Sequence, residues 1–138
     1  MTQYQIQELE KWYRLAVQLA VNPAGTGAPC EAGCGRLGSE AAHVVRRSQE
    51  PGIRWKYEPR WSAWLCHVCH SETELLPAEE LLRRLGHRPE KVKRLRRYLE
   101  VHDRVKGRNV SFAWMRAYLK RCVMRLQADW ATAYCEGA

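Results

Sequence analysis

The sequence predicts a mostly helical protein of the α+β class with a short β-rich centre. Near both ends of the chain, apolar residues recur at the three-and-four spacing of a helical face. Between these ends, residues 43–45 and 61–65 form short β-branched or aromatic runs bounded by turn-forming residues. Two close cysteine pairs accompany these runs, and a chain of 138 residues buries only a modest core that such pairs can reinforce.

The first predicted element is a helix over residues 2–21. Apolar side chains such as Leu9 and Ala16 fall on one face of this helix. The helix should end at Asn22, because a residue that precedes proline is pushed out of the helical region, and Pro23 follows.

Three further helices are predicted in the C-terminal part of the chain. Residues 77–86 carry acids in the first turn and arginines in the last, and Gly86 ends the helix. Residues 89–106 repeat apolar groups on one face and leave a strongly positive face. A long final helix should begin near Ser111, which is a suitable N-cap.

The cysteines predict a structural zinc site. Cys30 and Cys34 form one close pair, and Cys66 and Cys69 form another. Two such pairs can supply the four tetrahedral ligands that structural zinc prefers. Without a secretory signal, this spacing favours a metal site over a disulfide framework.

The positive charge is concentrated in one segment. The net charge is +8, and residues 83–108 contain eleven Lys or Arg against three acids, while the rest of the chain is balanced. Such a surplus favours contact with a phosphate backbone, although a solvated helix face is the alternative. No stretch approaches the apolar length of a membrane helix, which predicts a soluble cytoplasmic protein.

Two histidines are candidates for chemistry. His43 lies on the first predicted strand, and His70 directly follows the last cysteine of the zinc site. One imidazole can hold a divalent cation while the other removes a proton from water. Glu74 lies four residues after His70, on the same helical face, and can supply an oxygen ligand. The alternative for His43 is a structural polar residue on a partly buried strand.

These motifs occur in an order that is typical of one protein family. They are Cys30-x-x-x-Cys34, Ala42-His43-Val44, Arg47-Ser48, Arg54-Trp55 and Leu65-Cys66-His67-Val68-Cys69-His70. The order resembles that of the HNH, or ββα-metal (His-Me finger), nucleases, particularly the small zinc-stabilised members common in bacteriophages. The resemblance covers about residues 28–76. It implies a zinc-stapled ββα-metal core over 28–76. The helical patterns described above place an N-terminal helix over 1–22 before this core and a basic helical extension over 77–138 after it.

The resemblance also implies an activity, which is metal-dependent hydrolysis of DNA by an endonuclease. His43 matches the general base, and His70 with Glu74 matches the ligands of a catalytic Mg²⁺ or Mn²⁺ ion. The expected substrate is double-stranded DNA, and the expected setting is the cytoplasm of a bacterial host that carries a phage or prophage.

Basic side chains from the core and from the extension are the predicted nucleic-acid contacts. They are Arg46, Arg47, Arg54, Lys93, Arg94, Arg96 and Arg97. Aromatic residues of the final helix, among them Trp114, Tyr118 and Trp130, predict a homodimer surface.

Two positions differ from the family pattern. Ala42 stands where many relatives have a metal ligand, and Trp61 stands where they have the asparagine that orients the base. These residues favour a second hypothesis, in which the chain is a catalytically inactive HNH-like zinc module that binds nucleic acid or a partner protein. RNA is a further candidate target, since its phosphates are like those of DNA.

Overall fold

The computed structural model describes residues 1–25, 27–46, 50, 52–102 and 110–137, with side chains up to residue 131. The chain is α+β and mostly helical, as predicted, with one two-stranded sheet among the described residues. The elements are α1 (Gln3–Val21), β1 (Glu40–His43), α2 (Ile53–Lys56), β2 (Ser62–Leu65), α3 (His67–Thr73), α4 (Ala78–Arg84), α5 (Pro89–Val101) and α6 (Phe112–Gly137).

The N-terminal helix α1 begins at a capping box. The Thr2 hydroxyl accepts the backbone N–H of Gln5 at 3.1 Å, and the Gln5 side chain accepts the Thr2 N–H at 3.1 Å. The helix ends at Val21 with Asn22 as its extended cap residue, which confirms the predicted boundary. It packs against α6 and against both strands.

The C-terminal helices also follow the sequence pattern. Helices α4 and α5 lie within the predicted ranges, and the end of the 89–106 prediction falls partly outside the described residues. The predicted N-cap of α6 is confirmed, because the Ser111 hydroxyl accepts the Trp114 N–H at 3.1 Å. Trp114 and Trp130 are exposed on α6, and the homodimer surface stays a prediction. In the described part of the chain, no helix is both long and apolar enough to cross a membrane.

The antiparallel sheet is covered on both faces. Ala42 lies opposite Ala63, and His43 lies opposite Ser62. Trp64 packs into the core formed with α1 and α6, whereas its neighbours on β2 pack into the core formed with α4 and α5. This placement explains why every residue of β2 is buried.

The segment around the sheet differs from the sequence-based expectation in two ways. The first strand was expected at residues 43–45, but it ends at His43 because a 3₁₀ turn at Pro59–Trp61 diverts the partner strand. A single backbone bond from Val44 to the Trp61 carbonyl, at 2.9 Å, continues the pairing. The connection between the strands was expected to be a loop, and it contains α2 as well as the 3₁₀ turn.

Candidate functional site

The four predicted cysteines come together in space. The sulfur atoms of Cys30, Cys34, Cys66 and Cys69 all lie within 4.8 Å of one another, and Cys34 Sγ is 3.7 Å from Cys66 Sγ. A tetrahedral zinc ion with Zn–S bonds of 2.3 Å requires S–S separations of about 3.8 Å. The cluster could therefore hold a metal ion such as zinc.

Local backbone geometry builds this cluster. Gly33 and Gly35 adopt φ values of 72° and 86°, a left-handed conformation that favours glycine. This conformation lets the turn at residues 30–36, the first knuckle, fold back on itself. The Cys30 N–H donates to the Arg36 carbonyl at 2.9 Å and closes the turn. Cys66 is the N-cap of α3, and its sulfur accepts the Cys69 N–H at 3.4 Å.

The protein environment shifts the pKa values of two cysteine thiols in opposite directions. Burial would raise the pKa of Cys66, but hydrogen bonds from Cys69, Cys34 and Arg36 lower that pKa to about 6. Burial and the neighbouring sulfurs raise the pKa of Cys69 to about 12. Metal binding requires thiolates, so a cation in this cluster would displace thiol protons.

A buried ion pair joins the first knuckle to α5. Glu31 lies between Cys30 and Cys34 in the sequence, and its carboxylate accepts the Trp64 N–H at 2.9 Å. The same carboxylate forms an ion pair with Lys91, which is 7% exposed, and lies 3.1 Å from Arg88. Burial lowers the pKa of Lys91, and the Glu31 charge opposes that change. No sequence signal marks this pair, because its members are 60 residues apart.

The predicted catalytic residues line one cleft. The cleft has a volume of about 420 Å³ and lies between the end of β1 and α3. His43, His70 and Glu74 contribute to its lining, and Arg46 lies beside them. Helix α3 carries both Cys69 of the cysteine cluster and His70 of the cleft, so the cluster and the cleft share this helix.

His43 is held by backbone carbonyl groups. Its Nδ1 lies 2.7 Å from the Val45 oxygen, and its Nε2 lies 2.8 Å from the Trp55 oxygen. The side chain is 3% exposed, and Nδ1 is also 3.5 Å from the carboxylate of buried Glu50. An imidazole can donate to both carbonyls only when both nitrogens carry protons. General-base catalysis by His43 therefore requires one of these hydrogen bonds to open.

Aromatic packing surrounds His43. Tyr98 meets the His43 ring edge-on at 6.2 Å, and its hydroxyl donates to Glu50 at 2.6 Å. Trp61 stacks on Tyr98, with ring centroids 3.7 Å apart and planes 8° apart. Trp61, which the resemblance aligns with an asparagine that orients the base, thus packs on Tyr98, and the Val45 carbonyl contacts His43 Nδ1.

His70 is oriented by a carboxylate that the sequence-based prediction missed. Glu40 accepts from His70 Nδ1 and from His67 Nδ1, each at 2.8 Å. An imidazole that donates its Nδ1–H to a carboxylate has its lone pair on Nε2, the arrangement found at many metal-binding histidines. Alternation along β1 offered the signal, because Glu40 and Ala42 point to the same face of a strand.

The donor set for a second ion is small. Among the described residues, the four cysteines are the only group of three or more close ligand atoms. A catalytic divalent ion would accordingly take His70 Nε2 and the Glu74 carboxylate as protein ligands, with the remaining positions left to phosphate and water.

The predicted nucleic-acid contacts lie in different environments. Arg46 and Lys93 are exposed, whereas Arg54 is half-buried and donates to Glu58 at 2.8 Å. On α5, Arg96 pairs with Glu79 at 2.7 Å, and Arg97 lies 3.8 Å from Glu100. Arg94 is exposed and donates to the Arg60 carbonyl at 3.0 Å. Arg47 lies outside the described residues.

Comparison with known proteins finds no relative of this chain. No protein-family model, curated protein or solved structure matches the chain.

Proposed function

We propose that this protein is a metal-dependent endonuclease that hydrolyses DNA phosphodiester bonds in the cleft between β1 and α3. The observation that supports it is the convergence of His43, His70 and Glu74 on one cleft. His43 lies at the end of β1, whereas His70 lies on α3 and Glu74 caps its C-terminal end. The elements β1, β2 and α3 follow one another in the order expected for a ββα-metal core, and the cysteine cluster ties the turn at 30–34 to the start of α3.

His43 would act as the general base. The Val45 carbonyl keeps the proton on Nδ1, as the family asparagine or a backbone carbonyl must do, and Nε2 becomes basic when the Trp55 carbonyl moves away. Nε2 can then accept a proton from the water that attacks the phosphorus. Arg46, at the edge of the same cleft, would contact the phosphate.

His70 and Glu74 would hold the divalent ion, with Glu40 fixing the ring orientation of His70. When bound, a Mg²⁺ or Mn²⁺ ion stabilises the charge that develops on the phosphate and on the leaving 3′ oxygen. Zinc in the cysteine cluster would fix the positions of α3 and the first knuckle beside the sheet.

The test is a plasmid-nicking assay with added Mg²⁺, Mn²⁺ or Ni²⁺ on the wild type, His43→Ala and His70→Ala. Exposed His87, which lies outside the cleft, supplies the matched control His87→Ala. We expect nicking that requires the metal, is lost in both cleft variants and is retained in the control. Nicking that survives His43→Ala would contradict the assigned base.

A second candidate function is nucleic-acid binding without cleavage. It is favoured by the two carbonyl contacts of His43, which occupy both ring nitrogens of a side chain that is only 3% exposed. It is also favoured by Trp61, which packs on Tyr98 and not on His43. Stable DNA binding with no nicking under any metal would support this candidate over the first.

A further inference from the structure

A second cleft, of about 480 Å³, lies between α1, α5 and α6. Six cationic side chains line it: Arg54, Arg60, Lys91, Arg94, Arg121 and Arg125. They come from the segment between the strands, from α5 and from α6. Small apolar residues of α1, including Ala16 and Ala20, form part of its wall.

Among the described residues, one carboxylate lines the cleft, and it is already engaged. Glu58 is fully buried and accepts hydrogen bonds from Arg54 at 2.8 Å, from the Tyr118 hydroxyl at 2.6 Å and from Arg60. Burial would raise the pKa of Glu58, but these donors lower it below the usual value. Glu58 therefore offsets one positive charge while two arginines share it.

Of the other four cations, one has a carboxylate partner and three have none among the described residues. Lys91 is paired with Glu31 behind the cleft wall. Within the described residues, Arg94, Arg121 and Arg125 form no ion pair with a carboxylate. Desolvation lowers the pKa of Arg94, the charge of Glu31 opposes this change, and the nearby charges of Arg60 and Arg88 lower the pKa further. Glu58 in the lining and Glu31 beyond it thus offset two of the six positive charges, and four remain.

We propose that this cleft binds consecutive phosphate groups of a nucleic-acid strand. Guanidinium groups match phosphate oxygens in bidentate geometry, and five of the six cations are arginines. One free phosphate carries at most about two negative charges near neutral pH, so several linked phosphates match the four uncompensated charges better. The apolar wall suits the sugars between those phosphates. This site rests on the proposed function only for the identity of the strand, which would be the substrate DNA.

The test measures the binding of a fluorescein-labelled 20-base-pair DNA duplex by anisotropy, without added Mg²⁺ or Mn²⁺. Arg121→Ala/Arg125→Ala removes two exposed cations that have no carboxylate partner, so the fold should persist; zinc content and circular dichroism check this. The matched control, Lys11→Ala/Arg83→Ala, removes two exposed cations outside the cleft.

We expect the cleft variant to bind at least tenfold more weakly and the control to bind within about threefold of the wild type. Losing two phosphate contacts should also reduce the slope of log K against log[salt] by about 2. Equal losses in both variants, or none in the cleft variant, would overturn the proposal. So would a larger loss in Lys93→Ala/Arg97→Ala, which would place binding on the open face of α5.

Competition identifies the source of the phosphate. If the cleft is a nucleic-acid site, unlabelled duplex at equal concentration should compete with the labelled duplex. AMP or inorganic phosphate at a hundredfold excess should not displace the labelled duplex. Release by AMP or phosphate at low excess would assign the cleft to a small phosphorylated ligand and overturn the proposal. Because binding is read without cleavage, an inactive β1–α3 cleft would not affect this result.

Discussion

Substituting Lys91 by methionine should destabilise the protein through the carboxylate it leaves behind. Lys91 and Glu31 are both buried and form an ion pair that bridges α5 and the first cysteine knuckle. Removing one partner of a buried pair costs about 3–5 kcal/mol, because the remaining charge is desolvated and unpaired. The Trp64 N–H at 2.9 Å and Arg88 at 3.1 Å still contact Glu31, so we expect the lower end, about 3 kcal/mol.

Chemical denaturation in the presence of excess zinc measures this cost, and a double-mutant cycle isolates the pair. Lys91→Met/Glu31→Gln should be less destabilised than Lys91→Met, since a neutral amide replaces the orphaned carboxylate. Lys93→Met, on the exposed face of the same helix, is the control and should stay within about 0.5 kcal/mol of the wild type. A Lys91→Met cost below about 1 kcal/mol would refute the reasoning, as that is the range of exposed ion pairs.

Three further predictions concern metal binding and pH. Glu40→Gln should weaken Mn²⁺ binding by about 10–100-fold, measured by electron paramagnetic resonance, because His70 loses its orienting carboxylate; unchanged affinity at constant zinc content would exclude this role. Removal of zinc by a chelator should lower the thermal unfolding midpoint, and readdition should restore it; a midpoint indifferent to chelation would argue against a structural metal. Glu58 has a lowered pKa, so its contribution to stability is present above pH 4.5 and is lost as pH falls through the lower folded-state value. Glu58→Gln should flatten the acid limb of the stability curve, and an identical limb would assign it to other carboxylates.

The helices were predictable because their signals are local. Thr2 caps α1, Ser111 caps α6, and the apolar periodicity between such caps needs no knowledge of the tertiary structure. The cysteine cluster was predictable for a similar reason, since each pair folds within one tight turn. Both predictions depend on residues that are close in sequence.

The position of β1 was less predictable because it depends on the partner strand. Val44 and Val45 favour a strand by composition, but the 3₁₀ turn at Pro59–Trp61 leaves residues 62–65 as the partner, and these pair with residues 40–43. Because of this pairing, the strand lies at residues 40–43 and not at 43–45, and it includes Glu40, which contacts His70.

The partners of His43 could not be read from the sequence. Two partners are the backbone oxygens of Val45 and Trp55. Every residue has a backbone carbonyl, so the sequence does not indicate which carbonyls contact His43. Tyr98, which contacts the ring and binds Glu50, is 48 residues from that glutamate. The role assigned to His43 by resemblance thus depends on irregular backbone between the strands.

Helix α2 connects the two clefts. Arg54 lines the cationic cleft, and the carbonyl of the next residue, Trp55, accepts from His43 Nε2 at 2.8 Å. A phosphate that drew Arg54 away from Glu58 would shift α2, and with it the Trp55 carbonyl that contacts His43. We expect saturating duplex DNA to change the ¹⁵N resonances of His43 to those of an Nδ1–H tautomer with a free Nε2. Arg54→Gln should abolish that change while leaving zinc content unaltered. If the His43 resonances stay constant in saturating DNA, the two clefts act independently and the Trp55 contact is structural.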